Sequence, residues 1–156
     1  ETEDIVFSRE VRSLCERNAC GKHGTTWACP PAVGTIGECK ERCLRYDKAL
    51  VFSAKYNLQG SFDYEGMVLG HNEFKKVSDR LAALARKEQP DFLLLSNEGC
   101  MRCKECTYPH SPCRFPERLS PSVESYGIMV SSLAKSAKIN YVNGQNTVTY
   151  FGLLLY

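Results

Sequence analysis

Hydrophobic and polar positions alternate along the chain in a way that separates helices from strands. Ile36, Cys39 and Cys43 share one face at helical spacing, and Thr35 stands three residues before Glu38, the spacing of a capping box. A short helix over about Ile36 to Tyr46 is the expectation. Lys48 to Ser53 contains the apolar run Ala49-Leu50-Val51-Phe52, which suits a buried strand. The polar, aromatic stretch from Tyr56 to Gly70 reads as loop or a weak extra strand. From Asn72 to Glu88, Phe74, Val77, Leu81, Leu84 and Ala85 repeat with helical period, and Pro90 ends the helix. Phe92-Leu93-Leu94-Leu95 is a second apolar strand.

Further on, Ser120-Pro121 reads as an N-cap and first helical residue. The helix it opens carries Val123, Tyr126, Val130, Leu133, Ala134 and Ala137 on one stripe. Asn143-Gly144 is a hairpin signal between Ile139–Val142 and Thr147–Leu155. Residues 1–34 show little regular pattern and are rich in Gly, Pro and Cys. The expected fold is one α/β or α+β domain spanning 1–156. It has a central sheet flanked by helices, a C-terminal β-hairpin and cysteine-rich loops.

Composition narrows the classes. At 156 residues and 43% hydrophobic, the chain can bury a core and is not disordered by composition. A net charge of +2 makes no case for nucleic acid or an anionic membrane as partner. No apolar run approaches the roughly 18 residues of a membrane span. No charged-then-apolar run of the export-signal kind opens the residues given.

Cysteine changes the picture. There are nine, in two groups, Cys15 to Cys43 and Cys100 to Cys113. An odd, clustered set in a domain of this size does not read as a disulfide framework. It reads as metal ligands in a reducing cytosol, so a cytoplasmic location is expected.

The second group has the spacing C-x2-C-x2-C-x6-C: Cys100, Cys103, Cys106 and Cys113. Three thiols at successive two-residue gaps wrap a tight loop around one cubane, each reaching a different iron, and the fourth follows a little later. Zinc prefers two C-x2-C knuckles separated by a longer spacer, converging on one point. A [4Fe–4S] cluster is therefore expected here, with zinc as the alternative. Arg102, Lys104, Arg114 and Arg118 lie close in sequence, either as counter-charges or as an ordinary solvated loop face. His110 reads as an exposed loop residue.

The first group is looser. Cys15, Cys20 and Cys29 occupy a turn-rich segment, and Cys29 is followed by Pro30-Pro31. These three could hold a second cluster, with Cys39 as fourth ligand or with one iron left open as a Lewis-acid or substrate position. Cys39 and Cys43 also suit core packing, being four apart on an apolar stripe. Trp27 reads as a core anchor or a water shield for a cluster, and His23 as a surface residue.

No phosphate loop, dinucleotide fingerprint, zincin motif, serine-hydrolase elbow or deaminase signature occurs. The carboxylates Asp63, Glu65, Glu98 and Glu124 are scattered as a solvated surface would place them. Glu98, between a strand and the cysteine loop, is the one of interest. No acid, base or nucleophile is evident.

Four blocks resemble a known family. Cys20-Gly-Lys-His-Gly-Thr-Thr-Trp-Ala-Cys-Pro-Pro31 is similar to the N-terminal signature of a family of predicted metal-binding proteins, a domain of unknown function found in anaerobic bacteria and archaea. Asn97 to Pro116, Pro121-Ser122-Val123-Glu124-Ser125-Tyr126-Gly127 and Asn146 to Gly152 are similar to its other signatures. The resemblance implies ligation by Cys100, Cys103, Cys106 and Cys113 and joins Cys15, Cys20 and Cys29 into a functional unit. It supplies no reaction.

The function expected is electron transfer, or presentation of a cluster to a partner, by a protein with one or two [4Fe–4S] clusters. Two clusters within about 15 Å, the scale of a domain this size, would relay an electron. Two rivals remain: an enzyme using an open-site cluster on a small molecule, and a zinc-stabilised structural or interaction module. The redox partner is a protein or small molecule that the residues do not name.

Overall fold

The computed structural model describes all of residues 1–156. Its elements in order are α1 (Arg9–Glu16), α2 (Ile36–Cys43), β1 (Ala49–Asn57), α3 (Tyr64–Glu88), β2 (Leu93–Leu95), α4 (Val130–Ser136) and β3 (Thr147–Leu155). Single 3-10 turns lie at Thr2–Asp4, Pro116–Arg118 and Glu124–Tyr126. Four helices and a three-stranded sheet make one α+β domain. The sheet order is β1-β3-β2, antiparallel throughout, so the last strand in sequence is central in space.

Strand alternation sorts the two faces. Leu153 and Leu155 of β3 join Ala49, Val51, Leu93 and Leu95 on one face. They pack against Cys39 and Cys43 of α2, Leu133 of α4, and Val123, Tyr126 and Ile128. The other face presents Leu154, Leu94 and Phe52 to Leu81, Ala82 and Ala85 of α3. Phe52 stacks on Phe74 of α3, with ring centroids 5.4 Å apart. The sheet is thus covered by helices on both sides. Gly152 makes this possible opposite Phe52: a Cβ there would stand 2.2 Å from the Phe52 ring.

The capping box predicted at Thr35 forms. The Thr35 hydroxyl accepts from the Glu38 N–H at 3.2 Å, and the Glu38 carboxylate accepts from the Thr35 N–H at 2.7 Å. Both predicted apolar strands are present, the first extended to Asn57. Helix α3 begins eight residues before Asn72, so Tyr56–Gly70 is mostly strand end and helix rather than loop. Asp63 caps it by accepting from the Gly66 N–H at 2.9 Å. Gly66 and Gly70 dilute the helical pattern, yet Gly70 is needed: a Cβ there would meet the Tyr56 ring at 2.9 Å.

Two expectations fail. No helix starts at Ser120. Ser122 instead bridges to Ser96 beside β2, and Gly127, at φ +73°, turns the chain before α4 begins at Val130. A Cβ on Gly127 would also strike the Ile36 side chain at 2.6 Å. The C-terminal hairpin is likewise absent, because Ile139–Val142 forms no strand. β1 pairs β3 along all of Thr147–Leu155, and β2 takes part of the other edge. The segment before Asn143 instead covers β3 by side chains. Tyr141 stacks on Phe151 at 5.7 Å, and the Asn143 amide donates to Thr149 Oγ1 at 2.9 Å. No helix is long and apolar enough to cross a membrane.

Candidate metal centre

All nine cysteines are free thiols. Seven of them gather at two cavities, and the other two do not.

Cys100, Cys103, Cys106 and Cys113 line one small cavity together with Trp27, Arg102 and Arg114. Arg102 ties its loop to α3 by an ion pair with Asp79 and donates through Nε to the Arg118 carbonyl. Arg114 crosses the loop to the Glu105 carbonyl at 2.9 Å. The Phe115 N–H points at Cys113 Sγ from 3.4 Å, the kind of amide–sulfur contact that tunes a cluster. The donor set is four half-buried thiols on a loop without regular structure, which fits a [4Fe–4S] group chemically. The cavity they line is small, about 20 Å³. His110 is exposed and lines neither cavity.

Cys15, Cys20 and Cys29 line a second, larger cleft of about 350 Å³. Cys15 comes from the end of α1, a helix the sequence pattern hides because its buried residue is Arg12. Arg12 Nη1 donates to the Ser125 carbonyl at 2.6 Å and pins α1 against the Glu124–Tyr126 turn. Burial pushes the Cys15 thiol up to about 11, helped by the nearby Glu124 carboxylate and by Cys20 and Cys29. Burial likewise raises Cys29. These shifts describe metal-free thiols, and a bound cation would reverse them. His23 also lines the cleft, from a surface turn.

Cys39 does not join them. It is fully buried in the core, donates to the Val33 carbonyl at 3.4 Å and accepts from Arg42 at 3.4 Å. Cys43 packs beside it, its thiol pushed up to about 12 by burial.

The linings of the two cavities adjoin in sequence at two places. Gly99 lines the cleft and its neighbour Cys100 lines the four-thiol cavity. Cys29 lines the cleft, and Trp27, two residues earlier, lines the four-thiol cavity. The Trp27 indole N–H bridges to the Ser111 carbonyl at 3.1 Å and to Thr107 Oγ1 at 3.3 Å, and its ring meets Tyr108 edge-on at 4.9 Å. Lys75 of α3 stands between the groups. Its ammonium donates to the Asn97 carbonyl at 2.6 Å, and burial brings it down to about 8 against the pull of Cys100, Glu124 and Cys29.

Sequence reasoning missed Lys75 and set Glu124 among solvated carboxylates. Glu124 instead lines the cleft, its Oε2 shielded from solvent with no hydrogen-bond partner. Burial pushes its carboxyl up, with Glu98 adding to the rise and its own backbone N–H, the Ser122 hydroxyl and Lys75 opposing it. The signal for it was its place in the block Pro121 to Gly127. Lys75 carries no comparable signal, being one more lysine on an amphipathic helix.

No three His, Cys, Asp or Glu side chains stand close enough together to hold a single ion. No curated protein and no solved structure matches the chain. The family model described as predicted metal-binding protein (DUF2284) matches residues 1–156, and the chain belongs to that family.

Proposed function

We propose that this metal-binding protein carries two iron–sulfur centres and passes single electrons between them. Cys100, Cys103, Cys106 and Cys113 would hold a [4Fe–4S] cluster, and Cys15, Cys20 and Cys29 the core of a second. The observation that carries the reading is the sorting of seven thiols into two cavities whose linings adjoin in sequence at Gly99-Cys100. In a domain of this size the two centres would sit within about 15 Å, a distance that permits a relay. Ligands of a cubane stand farther apart than ligands of one ion. Three thiols at successive two-residue gaps, Cys100, Cys103 and Cys106, suit a cubane better than one zinc ion.

The chain's own groups fit that work. Lys75 supplies a buried positive charge between the centres, which stabilises the more negative reduced state. Trp27 closes the four-thiol loop on one side. A one-electron carrier protein is the expected donor, and the free thiols suit a reducing cytoplasm.

A second reading has its own observation. The cleft at Cys15, Cys20 and Cys29 is far roomier than the four-thiol cavity and falls at the small end of ligand pockets, roughly 300–1,000 Å³. A small molecule reduced at that centre would make the chain an enzyme, with the four-thiol cluster feeding electrons inward.

Cysteine variants purified without oxygen test the pairing. Cys106→Ser and Cys20→Ser are each expected to lose about half the iron, with different spectral features disappearing. Loss of all iron in one variant and none in the other would reduce the protein to a single centre.

A further inference from the structure

The three-thiol centre lacks a fourth protein donor if only cysteines are counted, since Cys39 is packed in the core and lines neither cavity. The cleft offers a different one. Glu124 Oε2 lies inside the molecule without a hydrogen-bond partner. A buried carboxylate is costly unless it is paired or coordinates a metal. No basic group near it hydrogen-bonds Oε2. Lys75 donates to the Asn97 carbonyl, Arg12 to Ser125, Gly34 and Glu16, and Lys22 and His23 line the cleft without contacting Oε2.

Its position relative to Cys15 follows from helix geometry. Arg12 binds the Ser125 carbonyl, next in chain to Glu124. Cys15 lies three residues after Arg12, on the same face of α1. The thiol and the carboxylate line the same cleft, where α1 is pinned to the Glu124–Tyr126 turn.

We infer that Glu124 is the fourth protein ligand of the N-terminal centre, giving it three thiolates and one carboxylate. The inference rests on the two-centre reading above. A carboxylate is a harder donor than a thiolate and holds a thiolate-rich iron less firmly. It marks the corner at which a lone-pair donor entering the cleft would displace a protein ligand, with no electron transferred in the exchange.

Anaerobically purified wild type, Cys15→Ser, Glu124→Gln and Glu124→Cys distinguish the possibilities. Iron content and electron paramagnetic resonance are read before and after mild ferricyanide oxidation. In Glu124→Gln, one iron of the N-terminal centre should be lost at least tenfold faster than in wild type, leaving a three-iron signal. Glu124→Cys should retain that iron and show an altered resonance. Should Glu124→Gln match wild type in iron and resonance while Cys15→Ser loses the centre, Glu124 is no ligand and the two-centre reading stands. Should Cys15→Ser also match wild type, the N-terminal centre itself falls, and this inference with it.

Discussion

The Trp27 indole N–H reaches across to the Ser111 carbonyl at 3.1 Å, so the segment that carries Cys29 is latched to the loop that carries Cys106 and Cys113. Residues 84 positions apart in sequence thereby fix how the two thiol groups face each other.

Replacing Trp27 by Phe keeps a ring against Tyr108 and removes both indole hydrogen bonds, a loss of about 1 kcal/mol. The four-thiol loop should then open to solvent more often. The visible absorbance of the anaerobically prepared protein should bleach several times faster in air than that of wild type. Equal bleaching rates would show that Trp27 does not shield the loop.

Cys39 belongs to the core rather than to a centre. Cys39→Ala should keep wild-type iron content while lowering unfolding free energy by about 1–2 kcal/mol through the void left beside Cys43. Iron loss without a change in melting would contradict that assignment.

How much of this was legible in the sequence depended on the kind of signal. Local signals were reliable: the Thr35–Glu38 box and the apolar runs of β1 and β2 each act within a dozen residues, and the four cysteines of the C-x2-C-x2-C-x6-C run line one cavity. Signals needing partners far along the chain were not. The stripe from Val123 to Ala137 looks continuous because Val123, Tyr126, Leu133 and Ala134 are all buried, yet Gly127 breaks it to make room for Ile36. Asn143-Gly144 looked like a hairpin, but β1 already pairs with β3 along its whole length. Helix α1 was hidden because an arginine is its buried residue, and Glu124 because burial of a carboxylate leaves no trace in local pattern.

The close packing at the sheet centre gives a fold test. Gly152→Ala puts a methyl group into the Phe52 ring. Overpacking of this kind costs about 1–3 kcal/mol, which lowers the melting temperature of a domain this size by roughly 3–10 °C. An unchanged melting temperature would mean that β1 and β3 do not pair Phe52 with Gly152.

Alkaline pH probes the buried thiol of α2. Folded Cys43 keeps its proton up to about 12, whereas the unfolded chain loses it near the ordinary thiol value of 9. Above pH 9 the folded state therefore binds more protons than the unfolded state, and stability falls as pH rises. The fall attributable to Cys43 reaches at most ~4 kcal/mol by pH 12. Cys43→Val should flatten the metal-free protein's stability curve between those limits. An identical slope in variant and wild type would place the titration elsewhere.

The central claim is that the thiols hold iron–sulfur clusters at two sites. It is tested most directly by iron, zinc and acid-labile sulfide content on protein purified without oxygen. Two cubanes predict a brown protein with about eight irons and eight sulfides per chain and no stoichiometric zinc. A colourless protein with zinc in fixed ratio and no sulfide would contradict the account.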